Sequence, residues 1–207
     1  MNGTHNLKEG EMPESISEEK STKRTIVLIL VVMCLTAVLV LAVSSPTYKL
    51  LGESVYGVRA AFHGLFAAIF MVTSTIGLYQ AVRLWRGSSL SLSDLEIGSV
   101  VNGASCFLTI LLGNWLYIPY RAQGGPRYYF LEHMPEIHKI FFEFKEFAAL
   151  FTLPLAVVAA YIICHYSERL LQRRYLRETV AILLVLSFFY FMVAFGLGAA
   201  VTKLKAV

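Results

Sequence analysis

Long runs of apolar residues constrain this chain more than any other feature of its sequence. Five such runs lie at about 25–44, 58–82, 95–119, 138–165 and 179–202. Each is close to the roughly 20 residues that a helix needs to cross a bilayer. A helix satisfies its own backbone hydrogen bonds, as any segment exposed to lipid must. The sequence therefore predicts an all-α fold, a polytopic transmembrane helical bundle with about five membrane-spanning helices.

The composition agrees with residence in a lipid bilayer. Only 15% of the residues are charged, against about 25% in an average soluble domain, and the mean hydropathy is +0.62. The net charge of +4 is spread over short polar connections and run ends. No basic stripe is interleaved with aromatic residues, so the sequence predicts no nucleic-acid partner. The three cysteines form no C-x-x-C pair, which gives no support for a disulfide framework or a thiolate metal site.

The chain divides into a polar tail and one membrane domain. Residues 1–22 are rich in glutamate and poor in apolar residues, a composition that predicts a disordered tail. Residues 23–207 are predicted to form a single transmembrane helical domain. A cleaved signal peptide is the rival interpretation of the first run. The long acidic leader and an apolar stretch longer than the usual core favour an uncleaved first helix.

The distribution of basic residues predicts the orientation. With the N-terminus inside, ten lysines and arginines lie on the inner side and eight on the outer side. The bias is clearest where Arg173, Arg174 and Arg177 lie beside a span, and such residues favour the cytoplasmic side. We expect a plasma (inner) membrane location with the N-terminus cytoplasmic and the C-terminus outside.

In that orientation, the polar residues of the middle three spans gather in the outer leaflet, whereas the inner halves carry almost no charge. Ionisable residues within spans usually face the bundle interior or a watery cavity. The sequence thus predicts a polar outer-leaflet site and no polar path through the inner half. Its predicted members are Asn114, Tyr117, Arg121, His133, Glu143, Lys145 and Glu146. An interfacial aromatic belt and lysines that reach out to water are the alternative interpretation.

Two histidines on different spans suggest a cofactor. His63 and His138 are both predicted in the outer leaflet, where they are candidate axial ligands of a haem b. No metal is predicted beyond that haem iron. The leading functional hypothesis is therefore a haem-b-binding or redox-associated membrane component.

Two other hypotheses stay open. One is a non-catalytic accessory or assembly subunit, in contact with other membrane subunits or with a second copy. The other is a small proton-coupled transporter, because a buried group of glutamate, lysine and histidine can pass protons. No nucleophile elbow, phosphate loop or zinc-protease motif is present. The sequence consequently predicts no catalytic residue, and an enzyme acting on its own is the less favoured interpretation.

Overall fold

The computed structural model of the chain describes residues 55–204. The predicted acidic tail and the predicted first span both lie outside these residues. The described part is helical, and its elements are α1 (Val55–Arg86), α2 (Leu92–Arg121), α3 (Pro126–His133), a π-helical segment (Ile137–Phe142), α4 (Glu143–Tyr166), α5 (Glu168–Gln172) and α6 (Arg174–Leu204).

Four helices in the described part of the chain are long and apolar enough to cross a membrane. They are α1, α2, the π-helical segment continued by α4, and α6. The predicted all-α transmembrane bundle is thus confirmed, with four of the five predicted runs in view. Each helix is longer than its run, because hydropathy detects the segment that lies in lipid and the helices continue into their polar ends.

The four long helices pack in a ring in the order α1, α2, α4 and α6, and α6 closes the ring against α1. Neighbours run antiparallel, since the connections at 87–91 and 167–173 are short. We call the end that carries these two connections the connection end. The opposite end, where α1 and the π-helical segment begin and α2 and α6 finish, is the site end.

Apolar side chains fill the ring in three layers. The layer at the connection end includes Leu84, Leu95 and Ile163. A middle layer joins Phe70 to Phe191, with ring centroids 4.3 Å apart, and a third layer surrounds Tyr120 and Phe142 at the site end. Large apolar residues also cover the outside of the ring, where Val72, Ile118 and Tyr161 are each more than 60% exposed. Such a surface suits contact with lipid.

Three local features complete the fold. The connection between residues 121 and 136 contains helix α3. Ser91 caps α2 by accepting a hydrogen bond from the backbone N–H of Asp94. Helix α4 passes without interruption through Pro154, because membrane helices tolerate the loss of one backbone donor.

Candidate functional site

His63 lies in the interface between α1 and α2. Its Nδ1 is 3.0 Å from the carbonyl oxygen of Thr109. Because a carbonyl only accepts, Nδ1 carries a hydrogen, and Nε2 is the nitrogen left to take up or release a proton. Gly113 makes room for the ring, since a Cβ atom at that position would lie 3.0 Å from His63 Cε1. A glycine on the facing helix therefore fixes where this histidine can lie.

Lys145 and Glu146 bring opposite charges into the same end of the bundle. Both are half-buried, and at 1.5 Å per residue they lie about 10 Å or less from the midpoint of their span. The stem of Lys145 packs on α6, where a Cβ at Gly198 would be 3.3 Å from Lys145 Cε. The Lys145 ammonium interacts electrostatically with both His63 and Glu146. Three ionisable groups from two helices are thus electrostatic neighbours.

Tyr117, Arg121 and Glu143 surround Glu146 toward the site end. The Tyr117 ring stacks on Phe142 with centroids 5.7 Å apart, and its hydroxyl lies beside the Glu146 carboxylate. The Arg121 guanidinium lies 5.2 Å from the centre of the Tyr117 ring. Glu143 is exposed and close enough to Glu146 for their charges to repel. The structure therefore brings five of the seven predicted polar residues together, and His63 with them.

His138 belongs to a different group of contacts. It is 4% exposed, its Nδ1 is 3.1 Å from the Tyr120 hydroxyl, and its Nε2 accepts from Arg127 Nε at 3.1 Å. Since the arginine can only donate, the lone pair of His138 is on Nε2 and is already in use. His138 thereby joins the π-helical segment to α2 and α3.

This arrangement does not fit the predicted haem. Axial ligands must lie on opposite sides of one iron, whereas the partners of His63 on α2 are Thr109 and Gly113 and the partner of His138 is Tyr120. Those positions are 7 to 11 residues apart, or roughly 10 to 16 Å along the helix. A haem held by both histidines would need the Arg127 bond broken and both rings moved.

The remaining two predicted residues, Asn114 and His133, lie outside the cluster. Asn114 is exposed on the surface of α2. His133 is exposed on α3, where its Nδ1–H donates to the Tyr129 carbonyl at 3.0 Å and its ring stacks on the Tyr129 ring. Counting residues along the chain predicted these two side chains at the depth of the site. Both are exposed, however, and so lie on the outward sides of their helices.

Several contributing residues were not predicted from the sequence. Tyr120, Arg127 and Thr109 act as hydrogen-bond partners, and two glycines make room for charged side chains. Arg59 donates to the Trp115 carbonyl at 3.0 Å and stacks on the Trp115 ring.

Within residues 55–204, no group of three or more histidines, cysteines, aspartates or glutamates is placed to hold a metal ion. No family model, curated protein or solved structure matches the chain.

Proposed function

We propose that this protein is a proton-linked membrane protein that binds and releases protons at a site formed by His63, Lys145 and Glu146. The observation that carries the proposal is the position of Lys145, whose stem packs against Gly198 inside the bundle, within electrostatic range of a histidine and a glutamate. Ionisable groups at such depth are costly to keep in a membrane, and they mark proton and ion routes more often than they serve structure alone.

The site has the chemistry that proton exchange needs. When a proton passes from the Lys145 ammonium to the Glu146 carboxylate through an intervening water molecule, two opposite charges become a neutral amine and a neutral acid. The net charge of the site is unchanged, so no new charge has to be buried. His63 offers a third position for the proton at Nε2, because its Nδ1–H is held by the Thr109 carbonyl. Proton exchange of this kind suits a small proton-coupled transporter or the proton-handling part of a membrane redox system.

The test is pH-difference infrared spectroscopy of the full chain in lipid. A protonated carboxylic acid within the bundle gives a C=O stretching band that grows as the pH falls. We expect Glu146→Gln to remove a band that is present in the wild type. Glu143→Gln is the matched control, because Glu143 is on the same helix but exposed, and it should leave that band in place. An unchanged band in Glu146→Gln would show that this carboxyl group does not exchange protons.

An accessory or assembly subunit is the second candidate, and exposed small residues on α6 favour it. Gly196, Ala199 and Ala200 are all exposed, and a Cβ at Gly196 would meet nothing within 4 Å. Small residues let another helix approach closely. Under this proposal, Gly196→Leu should abolish an oligomer or complex that the wild type retains in native mass spectrometry, whereas Glu146→Gln should leave it intact.

A further inference from the structure

A second set of polar residues continues from His63 toward the connection end. On α2, the buried residues Ser99, Asn102, Ser105 and Thr109 follow one another at intervals of three or four, which places them on one face of the helix. Asn102 faces α1, since Thr73 donates to Asn102 Oδ1 at 3.2 Å, and the backbone carbonyl of Thr109 accepts from His63 on the same neighbouring helix. This finding corrects the expectation that the half of the bundle away from the site has no polar path.

Helix α1 contributes polar groups along the same interface. Gln80 is buried on this helix. Gln80 Nε2 donates to the backbone carbonyl of Asp94 in the first turn of α2 at 3.3 Å. We call the set Thr73, Gln80, Ser99, Asn102, Ser105 and Thr109 the α1–α2 polar file. The interface between α4 and α6 has far fewer such groups, and its buried polar residues are Thr152 and Ser187.

The polar file is long enough to cover the part of the bilayer's thickness that the ionisable site does not span. From Asp94 to Thr109 is 15 residues, or about 22 Å of helix. The ionisable site then extends from Thr109 toward the site end through His63, Lys145 and Glu146. Together the two cover most of the roughly 30 Å of a bilayer's hydrocarbon.

The hydrogen bonds of the file leave acceptor positions free for water. Ser105 donates to the Val101 carbonyl and Thr109 to the Ser105 carbonyl, both at 2.8 Å. Ser99 donates within its own helix in the same way. Each hydroxyl oxygen keeps lone pairs that can accept from water. Side chains three or four residues apart are about 5–6 Å apart, roughly the length of two hydrogen bonds through one water molecule.

We propose that the α1–α2 polar file conducts protons between the connection end and the His63–Lys145–Glu146 site, so that the protein passes protons across the whole membrane. The inference rests on the proposed function of that site and adds a route and a cargo to it. In each step a proton moves along a hydrogen bond to the next oxygen or nitrogen, and a proton leaves the far end for each one that enters. No oxidant or reductant is needed, and the charge carried is balanced by movement of another ion.

The experiment measures proton flux through the full chain in phosphatidylcholine vesicles. A pH-sensitive dye inside the vesicles reports the flux, and a potassium gradient with valinomycin drives it. We expect wild-type vesicles to change internal pH several-fold faster than empty vesicles. Thr109→Val removes one hydroxyl at nearly constant volume, and it should slow the flux roughly tenfold, the change produced by losing one hydrogen bond from the barrier.

Thr152→Val is the matched control, because Thr152 is a buried threonine on α4 that does not belong to the polar file, and its hydroxyl contacts Cys106 and donates to the Ala149 carbonyl. It should leave the flux at the wild-type rate. A second variant pair, Asn102→Leu and Asn102→Ser, separates loss of the polar group from loss of folding, since serine restores a hydroxyl and should recover part of the flux. Equal fluxes in Thr109→Val and the wild type, or an equal loss in Thr152→Val, would show that the file only holds helices together.

The flux assay and the infrared test can fail separately. Flux no faster than in empty vesicles, together with a Glu146 band that responds to pH, would overturn the conduction path and leave the proton-binding site standing. Loss of the pH response at Glu146 would remove the proposed function, and the conduction path that depends on it would fall as well.

Discussion

Single glycines determine where the charged side chains of the site can lie. Two of the bundle's glycines face ionisable groups directly: Gly113 faces His63 and Gly198 faces Lys145. Other glycines on the same two helices do not make such contacts, because a Cβ at Gly103 or Gly196 would meet nothing within 4 Å. At these two positions the absence of a side chain on the facing helix leaves room for the imidazole of His63 and the stem of Lys145.

This contact predicts the effect of Gly113→Ala. The new methyl group would lie 3.0 Å from the ring of His63, so the ring must shift by a few tenths of an ångström and its bond to the Thr109 carbonyl is weakened. We expect a loss of about 1–2 kcal/mol in the free energy of unfolding, the usual cost of overpacking. The measurement is thermal unfolding in detergent followed by circular dichroism.

A double-mutant cycle gives that prediction its controls. In a His63→Ala background, Gly113→Ala should cost almost nothing, because the clashing ring is gone. Gly103→Ala should be neutral or slightly stabilising, since alanine favours a helix over glycine. Equal destabilisation by the two glycine substitutions would mean that His63 is not what Gly113 accommodates.

The two histidines also make a prediction about haem. The lone pair of His138 accepts from Arg127, and the partner of His138 on α2 is about two to three turns from the partners of His63. We expect the reduced-minus-oxidised spectrum of the purified protein, expressed with an adequate haem supply, to lack the α-band of a haem b. A band that disappears in both His63→Ala and His138→Ala would establish the bis-histidine site and require a rearranged bundle.

At the scale of elements, the π-helical segment Ile137–Phe142 distinguishes α4 from the other long helices. The wider turn changes which residues share a face, and π-helical turns often occur at functional sites. His138 and Phe142 are buried, whereas Lys139 and Glu143 are exposed. The spacing of Lys139, Glu143 and Glu146 would place them on one face of a regular α-helix, but the structure separates the half-buried Glu146 from the other two. The segment thus directs Lys145 and Glu146 into the bundle.

His138 holds this element in place, which predicts a contrast between two histidines. His138→Leu would leave the Tyr120 hydroxyl and Arg127 Nε without this partner in a buried setting. We expect a loss of about 1–3 kcal/mol in the free energy of unfolding. His133→Leu is the matched control, because His133 is exposed and bonds only to the turn before it, and such surface changes stay within about 0.5 kcal/mol. Similar melting temperatures for the two variants would contradict this role.

The elements differ in how far the sequence could predict them. The four spans were predictable because apolar length alone determines them. Helix α3 was not, since Pro126 to His133 mixes aromatic, charged and apolar residues without a clear period. The π-helical segment was not predictable either, because hydropathy does not distinguish a π-helical turn from an α-helical one. The polar file is present in the sequence as serine, threonine and asparagine at helical spacing on α2. It was not predicted, because the polar site was inferred from charged residues and the residues of the file are uncharged.

The sequence could predict how deep in the membrane the site residues lie, but not which of them contact one another. Position along a span follows from counting residues, and that count brought Lys145, Glu146 and Tyr117 to one end of the bundle. Which groups touch depends on helix rotation and on the neighbour across the interface. His63 and His138 were therefore expected to face each other, whereas the structure gives each a different set of partners on α2.

At the scale of the whole molecule, the two ends of the bundle differ in charge, and this difference predicts its topology. The connections at 87–91 and 167–173 lie at the same end, next to Arg83, Arg86, Arg173 and Arg174. Short basic connections favour the cytoplasmic side. Three spans, α2, α4 and α6, separate the first connection from the end of α6, so the two must lie on opposite sides of the membrane.

Reporters inserted at 87–91 and at 167–173 should therefore both be cytoplasmic, and a reporter fused after Val207 should be outside. Enzymatic fusions that are active on only one side of the membrane make this measurement in intact cells. Both loop reporters outside, with the C-terminal one inside, would reverse the orientation but keep the bundle. A loop reporter on the same side as the C-terminal one would break the ring itself, because an odd number of crossings cannot return to its starting side. The same result would determine which compartment the Gln80 end of the polar file faces and which compartment the Glu146 end faces.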